Sequence, residues 1–479
     1  MAQNQPLHEQ LQRPRNIRRA IGKMQRKYVP RGSHGAWQPA ADRPDPLDLL
    51  QAQDEGRLQR LLPIKYGRMA EAPFAFLRGS AVVMANDLAS TPDSGQYVAL
   101  CGDAHLANFG FFASPERKLV FDINDFDECY FGPWEWDIKR LAASVVVAGR
   151  ENGFDAATNR DLAALAANVY RRAMRRLAKM PALDLWYLHV AAGDIEELFD
   201  EKASSKSKKE IRKIVRKAMS RTQKQTLEKL TELVDSRRRI RYEPPLLVPF
   251  REIDLSSELE RMGGDMELDA QTVAAISGAW RQYLESLPDD RRLIMDNFHV
   301  TDAALRVGGV GSVGTRCFIF LLQSGAGDEG LILQLKETGP SVLEAYLPKR
   351  DLEHQAERVV IGQRLIQAVS DPFLGWNRAP ISGNEYYWRQ LKDMKGSIDV
   401  AELDESGFGA YVTICAASLA RAHARTGDPS AISGYLGKGK VFDQAVAQFA
   451  ETYADQTEKD HAALLRAIED GRVAVDSER

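Results

Sequence analysis

A glycine-rich segment between two β-rich runs most constrains the fold of this 479-residue chain. In "ALRVGGVGSVGTRCFIFLLQ" (304–323), Gly309, Gly311 and Gly314 form a G-x-G-x-x-G pattern. A dinucleotide-binding fold requires a helix directly after these glycines, with its N-terminus at the pyrophosphate. Here β-branched and aromatic residues follow the glycines, which is typical of a strand. The segment therefore predicts a glycine-rich turn between two antiparallel strands.

A lysine and two glutamates follow this turn in an order that points to a nucleotide site. Lys336 lies in the β-rich run "GLILQLKET", and Glu353 and Glu357 lie in a segment predicted to be helical. A lysine inside an apolar strand must reach solvent or a partner, because a buried unpaired ammonium group is costly. In protein kinases a glycine hairpin covers the ATP phosphates, a strand lysine contacts them and a helical glutamate holds the lysine. The expected nucleotide-binding residues are Gly309, Gly311, Ser312, Gly314, Lys336, Glu353 and Glu357. The alternative is a plain glycine-rich hairpin with a lysine that reaches solvent at the strand end.

The stretch "CGDAHLANFGFF" gathers three polar side chains, Asp103, His105 and Asn108, between apolar runs. Asp103 and Asn108 are five residues apart, the spacing of the Asp and Asn in a kinase catalytic loop. In that loop the Asp accepts the proton of the attacking hydroxyl and the Asn binds magnesium. Asp125 follows in "FDINDFDE", at the predicted end of a strand, where a carboxylate supplies the oxygen ligand that magnesium prefers. An ordinary polar turn between two strands is the alternative.

The segment "FDINDFDE" is strongly acidic, with Asp122, Asp125, Asp127 and Glu128 within seven residues. Carboxylates so close in sequence repel each other unless a cation lies among them. We therefore expect a Mg²⁺ site formed by Asn108 and Asp125, with Asp122 as a further ligand. An acidic turn without a metal is the alternative.

The run "GDAHLANFG" followed by "FDINDFDECYFGPWEWDIKRLA" resembles the signature of aminoglycoside phosphotransferases and related small-molecule kinases. The whole chain also resembles an uncharacterised bacterial family, a domain of unknown function grouped with the protein-kinase-like superfamily. The resemblance implies that Asp103 is the catalytic base and His105 the histidine of the loop. It places Asn108 and Asp125 at the metal positions. It also makes Asp137 the structural residue that opens the next helix.

The order of these motifs is reversed relative to kinases, because the catalytic loop precedes the glycine turn by some 200 residues. A helical segment, "SLARAHARTGD" (418–428), resembles the helix that leads into a kinase catalytic loop, yet it follows the predicted nucleotide-binding strands. We therefore expect an α+β, protein-kinase-like two-lobed fold that is circularly permuted, with a small antiparallel-sheet lobe and a large helical lobe. The predicted units are a polar arm (1–60), a helical lobe with the catalytic loop (61–299), a nucleotide-binding lobe (300–395) and C-terminal helices that complete the large lobe (396–479).

Composition narrows the function classes. The net charge of −3 gives no overall attraction to nucleic acid, and the chain has no run of about 18 apolar residues, so neither nucleic acid nor a membrane is an expected partner. The four cysteines show no metal-ligand spacing, and the N-terminus has no apolar signal-peptide core, which favours the cytoplasm.

The Arg- and Pro-rich arm 1–60 predicts irregular, solvated structure. The basic stretch 202–241 predicts a charged surface helix, or a face for an acidic partner.

The expected activity is transfer of a phosphoryl group from Mg-ATP to a hydroxyl of a small molecule or a protein, with Asp103, His105 and Lys336 as catalytic residues. One alternative is a kinase-like protein that binds ATP in reverse and transfers AMP. A second is a catalytically silent nucleotide-binding module, which the presence of Asp103 and Lys336 disfavours. A Rossmann-type oxidoreductase is disfavoured by the strand after the glycines.

Overall fold

The described part of the computed structural model covers residues 7–220, 223–235, 237–252, 270–308, 310–325, 329–379, 382–391 and 394–476. It is a mixed α+β structure in which every sheet is antiparallel. The helices, numbered α1 to α18, are Leu7–Leu11, Arg15–Gln25, Pro46–Asp54, Leu62–Ala70, Pro73–Gly79, Ala81–Leu88, Glu135–Glu151, Ala156–Leu177, Ala182–Tyr187, Ala192–Lys202, Ser205–Ser220, Gln223–Leu230, Ala270–Ser286, Asp289–Met295, Gln355–Ile366, Glu405–Thr426, Pro429–Leu436 and Val441–Glu469. The strands, β1 to β13, are Tyr97–Leu100, Phe109–Ala113, Leu119–Ile123, Tyr130–Pro133, Val190–Ala191, Thr231–Val234, Arg237–Ile240, Leu247–Pro249, Phe298–Arg306, Cys317–Ser324, Gly330–Thr338, Gly375–Arg378 and Glu385–Gln390.

Aspartates set where several helices begin. The side chain of Asp155 accepts a hydrogen bond from the N–H of Thr158 at the start of α8. Asp404 does the same for Gly407 at the start of α16, and Asp428 caps α17. An N-cap carboxylate satisfies backbone donors that lack a partner inside the helix and also interacts favourably with the helix dipole.

Helix α7 lies at the centre of the largest core. All its residues from Glu135 to Gly149 are buried, because α8, α16 and α18 pack around it. A helix that is covered on every side buries its charged residues too, and these must find partners inside the protein. Two of them, Asp137 and Arg140, are directed at the loop that follows β1.

The largest sheet has six strands in the order β12-β13-β11-β10-β9-β8. Cys317 of β10 is opposite Lys336 of β11, which is opposite Tyr387 of β13. One face of the sheet carries Trp388, stacked at 4.6 Å on Tyr283 of α13. Because both faces are covered by apolar clusters, the strands are apolar along much of their length.

The strand predictions around the site are confirmed, with β1 and β3 on either side of the "GDAHLAN" loop and β11 over the full "GLILQLKET" run. The six-stranded sheet is not confined to the predicted unit 300–395. β9 begins at Phe298, and the earlier strand Leu247–Pro249 forms the edge of the same sheet. Helix α13 also packs against β12, so the sheet unit draws on chain from well before residue 300.

The polar segment 1–60 is not an irregular arm over its described residues. It forms α1 to α3, and its arginines bind the C-terminal helices. Arg18 pairs with Asp428 (2.8 Å), and Arg43 pairs with both Asp87 (2.7 Å) and Asp460 (2.7 Å). Composition alone predicted a solvated segment. It could not show that buried carboxylates far along the chain need these arginines as partners.

The basic stretch 202–241 is a surface helix only in part. α11 carries a thin apolar stripe in which Ile211, Val215 and Ala218 are buried, whereas Met219 is exposed. The chain then forms α12 and a hairpin of β6 and β7, which the charge pattern did not indicate. Among the described residues, no helix combines the length and the apolar character needed to span a membrane.

Candidate active site

The loop after β1 begins at a glycine that no other residue could replace without rearrangement. Gly102 has a left-handed φ of +81°, and a Cβ atom there would lie 2.1 Å from the carbonyl oxygen of Glu128. Asp137 accepts hydrogen bonds from the N–H groups of Cys101 (2.9 Å) and Gly102 (3.1 Å). The start of the loop is therefore tied to the buried helix α7.

Asp103, the expected base, is held on one side by a buried arginine. Its Oδ1 atom accepts hydrogen bonds from Nε (2.9 Å) and Nη2 (2.7 Å) of Arg140, whose side chain is 2 % exposed. Arg140 also donates to the carbonyl oxygen of Leu77 (2.6 Å). The Oδ2 atom of Asp103 lies 3.5 Å from Nε2 of His105. The protein thus fixes one oxygen of a carboxylate that lines the cavity described below.

His105 is a buried, neutral neighbour of this carboxylate. Burial lowers the pKa of His105 to about 4, and Arg140 and Arg78 act in the same direction against the opposing effect of Asp103. Its Nδ1 atom has no hydrogen-bond partner among the described residues. A neutral imidazole lies beside the carboxylate without compensating its charge.

Asn108 and Asp125 meet where the loop approaches the end of β3. Nδ2 of Asn108 donates to the carbonyl oxygens of Asp103 (2.9 Å) and Asp125 (3.3 Å), which leaves Oδ1 as its oxygen donor for a ligand. The side chain of Asp125 is 49 % exposed, and the residue lines the cavity. Burial opposes its ionisation, but Lys336 and Arg389 hold the pKa of Asp125 below its usual value.

Lys336 projects from the centre of the six-stranded sheet towards the acidic segment. Its Nζ atom binds Asp127 and lies 3.8 Å from Oδ1 of Asp125. The lysine side chain is 4 % exposed. Burial alone would favour the neutral amine, but Asp125 and Asp127 raise the pKa of Lys336 above its usual value, so it stays charged. Tyr387 donates its hydroxyl hydrogen to Asp127 (2.8 Å) and completes this group.

The glycine turn after β9 packs against the segment that precedes α4. Arg57 donates through Nη1 to the carbonyl oxygen of Gly311 (2.9 Å). Gly314 has a φ of +90°, which disfavours any other residue there. Ser312 lines the cavity with Gly311, and Gly309 lies outside the described residues. Arg57 therefore anchors the glycine turn to the segment that precedes α4.

One cavity of about 650 Å³ joins the loop and the glycine turn. The predicted residues that line it are Asp103, His105, Asn108, Asp125, Gly311, Ser312 and Lys336. A smaller cavity of about 40 Å³ lies between Asp103, Asn108, Asp125 and Gly311. Chain segments 209 residues apart thus form one site, as the Lys336–Asp127 pair shows.

Asp122 does not line this cavity, which corrects the expectation that it binds a metal. Its carboxylate is 4 % exposed and accepts hydrogen bonds from Nη2 of Arg421 at 2.7 and 2.6 Å. It also accepts one from the N–H of Ala368 (3.1 Å). A buried carboxylate that is fully paired with arginine offers no oxygen to a cation.

Neither Glu353 nor Glu357 holds Lys336, which corrects a second expectation. Both glutamates line a separate groove of about 1300 Å³. From α15 it is Arg358 that reaches the acidic segment, where its Nη1 donates to the carbonyl oxygen of Asp127 (2.8 Å). Adjacent residues on a helix point about 100° apart. Because Arg358 points towards the acidic segment, Glu357 points away from it and into the separate groove. The carboxylate partner of Lys336 comes instead from the segment after β3.

Five cations of the cavity were missed by the motif search: Arg78, Arg117, Arg306, Arg389 and Lys395. Arg78 is near the end of α5, and its buried Nε atom has no hydrogen-bond partner among the described residues. Arg306 directly precedes the glycine turn. Arg389 interrupts the apolar run "EYYWRQ" much as Lys336 interrupts β11, and that shared pattern was the available signal.

Helix α16 packs beside the loop, although it lies far along the chain. Nε2 of His423 is 3.1 Å from Oδ2 of Asp137. The hydroxyl of Tyr411 donates to the carbonyl oxygen of Leu106 (2.8 Å). Helix α16, which carries the "SLARAHART" segment, therefore contacts the loop through Tyr411 and the helix that orders the loop through His423.

The residues present have the chemistry to contribute two ligands to a magnesium ion. Within the described ranges, no group of three or more His, Cys, Asp or Glu side chains could hold a metal alone. Asp125 and Asn108 nevertheless both line the cavity, and Nδ2 of Asn108 donates to the backbone carbonyl of Asp125 (3.3 Å), so a carboxylate and an amide oxygen border the same space. Proteins hold Mg²⁺ with one or two carboxylates, and waters and substrate phosphates supply the other ligands.

Fold and site together define a mixed α+β protein whose cavity joins a polar loop to a glycine turn. Residues 57–467 match the model of a family described as an uncharacterized protein conserved in bacteria (DUF2252). The chain belongs to this family, and the match includes the loop, the glycine turn and α16. No curated protein and no solved structure matches the chain.

Proposed function

We propose that the protein is a kinase-like phosphotransferase that moves a phosphoryl group from Mg-ATP to a hydroxyl of a small molecule or a protein. The observation that carries this proposal is the convergence of Lys336 with Asp125 and the Asp103 loop on one cavity. A glycine turn, a strand lysine, a loop aspartate and a metal-binding aspartate are the parts that phosphoryl transfer uses. Catalysis would rest on positioning of the reactants and on compensation of their charge.

Asp103 is the general base of the proposed reaction. A base must lie within hydrogen-bond reach of the proton that it accepts, and Asp103 lines the cavity with part of its side chain exposed. Arg140 fixes Oδ1, and His105 lies beside Oδ2. The acceptor hydroxyl would approach Asp103 from the cavity.

Lys336 and Arg78 would bind phosphate oxygens. Lys336 is charged and faces the cavity from the sheet, and Arg78 brings a guanidinium from α5 next to Gly311. Asp125 and Asn108 would hold Mg²⁺, which, when bound, neutralises charge on the transferred phosphate. Gly311 and Ser312 of the glycine turn line the cavity, and the N–H groups of the turn would cover the phosphates.

The proposed fold is a two-lobed, protein-kinase-like one with permuted connectivity. Its support is that the sheet carrying Lys336 lines the same cavity as the Asp103 loop. α16 packs against the catalytic loop although it follows the sheet in the chain. Permutation leaves such contacts in place while it changes the order of the segments. A cytoplasmic location, where ATP is available, goes with this proposal.

AMP transfer from a reversed ATP is the second candidate. The observation that favours it is the positive charge that Arg306, Arg389 and Lys395 add to the cavity beyond Lys336. A triphosphate that extended along these cations would present its α-phosphate, rather than its γ-phosphate, to Asp103.

A thermal-shift series with ATP, GTP and NAD, each with and without magnesium, tests the nucleotide site. We expect stabilisation by ATP that depends on magnesium, because a bound ligand stabilises the folded state according to its occupancy. Stabilisation by NAD alone, or none, would contradict the proposal.

ATP labelled on either the α- or the γ-phosphate then identifies the reaction, with aminoglycosides, sugar alcohols and protein as acceptors. Transfer of the γ-label by the wild type but not by the Asp103→Asn variant is the expected result. Transfer of the α-label identifies AMP transfer. Binding without any transfer to these acceptors points to the silent module.

A further inference from the structure

A group of cations occupies the sheet wall of the cavity next to Lys336. Arg306 ends β9, Arg389 lies on β13 and Lys395 follows that strand, and all three line the cavity. Gln334, two residues before Lys336, is directly opposite Arg389. Residues two apart on a strand, and residues opposite each other, share one face of a sheet. Lys336 and Arg389 therefore project on the same side.

Arg389 is positioned by neutral neighbours. Its Nε atom donates to Oε1 of Gln334 (2.8 Å), and Gln334 contacts Sγ of Cys317 (3.0 Å). The guanidinium lies 5.8 Å from the ring centre of Tyr387. No described residue accepts a hydrogen bond from Nη1 or Nη2 of Arg389, and within the same ranges Arg306 forms no ion pair. Both guanidinium groups can therefore donate to a ligand.

The three carboxylates that line the cavity each have other partners, although Asp125 also attracts Arg389 and Lys395. Asp103 pairs with Arg140, and Asp125 lies 3.8 Å from Lys336. Asp371 accepts hydrogen bonds from two backbone N–H groups. Against these three carboxylates, the cationic side chains of the lining are Arg78, Arg117, Arg306, Lys336, Arg389 and Lys395. The lining carries an excess of positive charge, which attracts anions.

The cations also disfavour one another when no anion is present. Burial, together with Arg389, lowers the pKa of Lys395 to about 7. Burial and Arg389 likewise lower the pKa of Arg306. A ligand with several negative charges would relieve this repulsion and form charge-assisted hydrogen bonds, which are the strong ones.

We propose that Arg306, Arg389 and Lys395 form an anion subsite that binds a phosphate group or a chain of phosphates. The phosphate chain of ATP and a phosphorylated acceptor are the two sources of that group. The subsite rests on the cations alone, and only the assignment of its phosphate to a substrate rests on the proposed function.

Calorimetric titration of the full chain with inorganic triphosphate, at low salt and without magnesium, tests the subsite. We expect binding by the wild type and a loss of affinity of about tenfold or more in Arg389→Met and in Lys395→Met, because each removes a charge-assisted contact. Arg378→Met is the matched control, since Arg378 lies on β12 of the same sheet, pairs with Glu385 and does not line the cavity.

If Arg389→Met does not fold, the pair Arg306→Met and Arg306→Lys takes its place, and the lysine variant should recover part of the affinity. Asp125→Asn should still bind triphosphate even if it abolishes every magnesium response, which separates this proposal from the proposed reaction. Displacement of triphosphate by a non-hydrolysable ATP analogue assigns the subsite to the nucleotide, and simultaneous binding assigns it to a phosphorylated acceptor. No binding by the wild type, or equal affinity in Arg378→Met and the three cavity variants, would overturn the subsite.

Discussion

Arg140 binds a single oxygen of Asp103 with two of its nitrogens, at 2.9 and 2.7 Å, and leaves the second oxygen beside His105. The arginine side chain is buried, so it relies on Asp103 for compensation of its charge. The expected catalytic base is therefore also part of the internal charge balance of α7. A substitution at Asp103 will change both properties.

Asp103→Asn should abolish transfer while nucleotide binding persists. The amide oxygen can still accept from Arg140, but it cannot take up a proton and it no longer balances the buried charge. We expect the free energy of unfolding to fall by about 1–3 kcal/mol. Transfer assays and nucleotide titrations well below the melting temperature measure the two effects separately. Activity above a few per cent of wild type would count against the role of base.

Asp125→Asn should remove the magnesium dependence of the ATP-induced thermal shift. The variant replaces an ionised ligand oxygen by a neutral one, which binds Mg²⁺ poorly. Lys336 keeps Asp127 as its partner, so we expect stability without ligand to change by less than about 1 kcal/mol. An unchanged magnesium response would exclude Asp125 as the metal ligand.

Asp122→Asn is the companion variant: it should lower the stability of the protein but keep the magnesium response. Asp122 and Arg421 are both almost fully buried, so loss of the carboxylate leaves an uncompensated guanidinium. Breaking such a pair typically costs about 3–5 kcal/mol. Chemical unfolding should reveal this loss, while the magnesium response of the folded fraction is retained. Equal stability of the Asp122 and Asp125 variants would contradict the assignment of the two residues.

Arg57→Met should weaken nucleotide binding without touching the ligand. Arg57 donates to the carbonyl oxygens of Gly311 and Val313 (2.6 Å), so its loss releases the glycine turn. Two hydrogen bonds of about 0.5–1.5 kcal/mol each correspond to a loss of affinity of about tenfold. Arg160→Met, which breaks an exposed pair with Glu451, is the control and should leave affinity unchanged. Equal affinities in both variants would show that the anchor is unimportant.

The stability of the protein should fall in acid partly because of His34. Burial, reinforced by Lys139, lowers the pKa of His34 to about 3, whereas an unfolded histidine titrates near 6.5. Between these values the unfolded state binds more protons, so stability is lost as the pH falls below about 6.5. At pH 5 the proton uptake of His34 on unfolding should lower the free energy of unfolding by about 2 kcal/mol relative to neutral pH.

Urea unfolding at about pH 7 and pH 5 measures this effect. His34→Gln should be less stable than wild type at pH 7, since it loses the contact with Tyr435, but it should decline less towards pH 5. His189 is exposed, so His189→Gln should follow the wild-type profile. A wild-type slope in His34→Gln would rule out His34 as the source.

The sequence predicted the local elements of the site and seven of the residues that line its cavity. Strand periodicity and glycine spacing located β11 and the turn, and the Asp–Asn spacing located the loop. Which acid of "FDINDFDE" faces the cavity was not predictable, because Asp122 and Asp125 differ only in what lies opposite them. The partner of Asp122, Arg421, is 299 residues away.

The missed cations have a similar explanation. Arg306 and Arg389 belong to different strands, and only the pairing of β9, β10, β11 and β13 brings them together. A motif search compares residues at fixed spacing along the chain, so it finds Asp103 and Asn108. It does not find residues whose proximity comes from the register of a sheet.

The contacts of α16 determine when, during synthesis of the chain, the site can fold. Asp122 and Asp137 emerge from the ribosome 299 and 286 residues before Arg421 and His423, the residues that neutralise or orient them. Until α16 has been synthesised, burial of these carboxylates is unfavourable, and the loop with Asp103 lacks its support. A nascent chain that already contains every proposed ligand-binding residue is therefore expected to lack an ordered Asp103 loop. Synthesis of the helix Glu405–Thr426 supplies the partners of Asp122 and Asp137 that the loop requires.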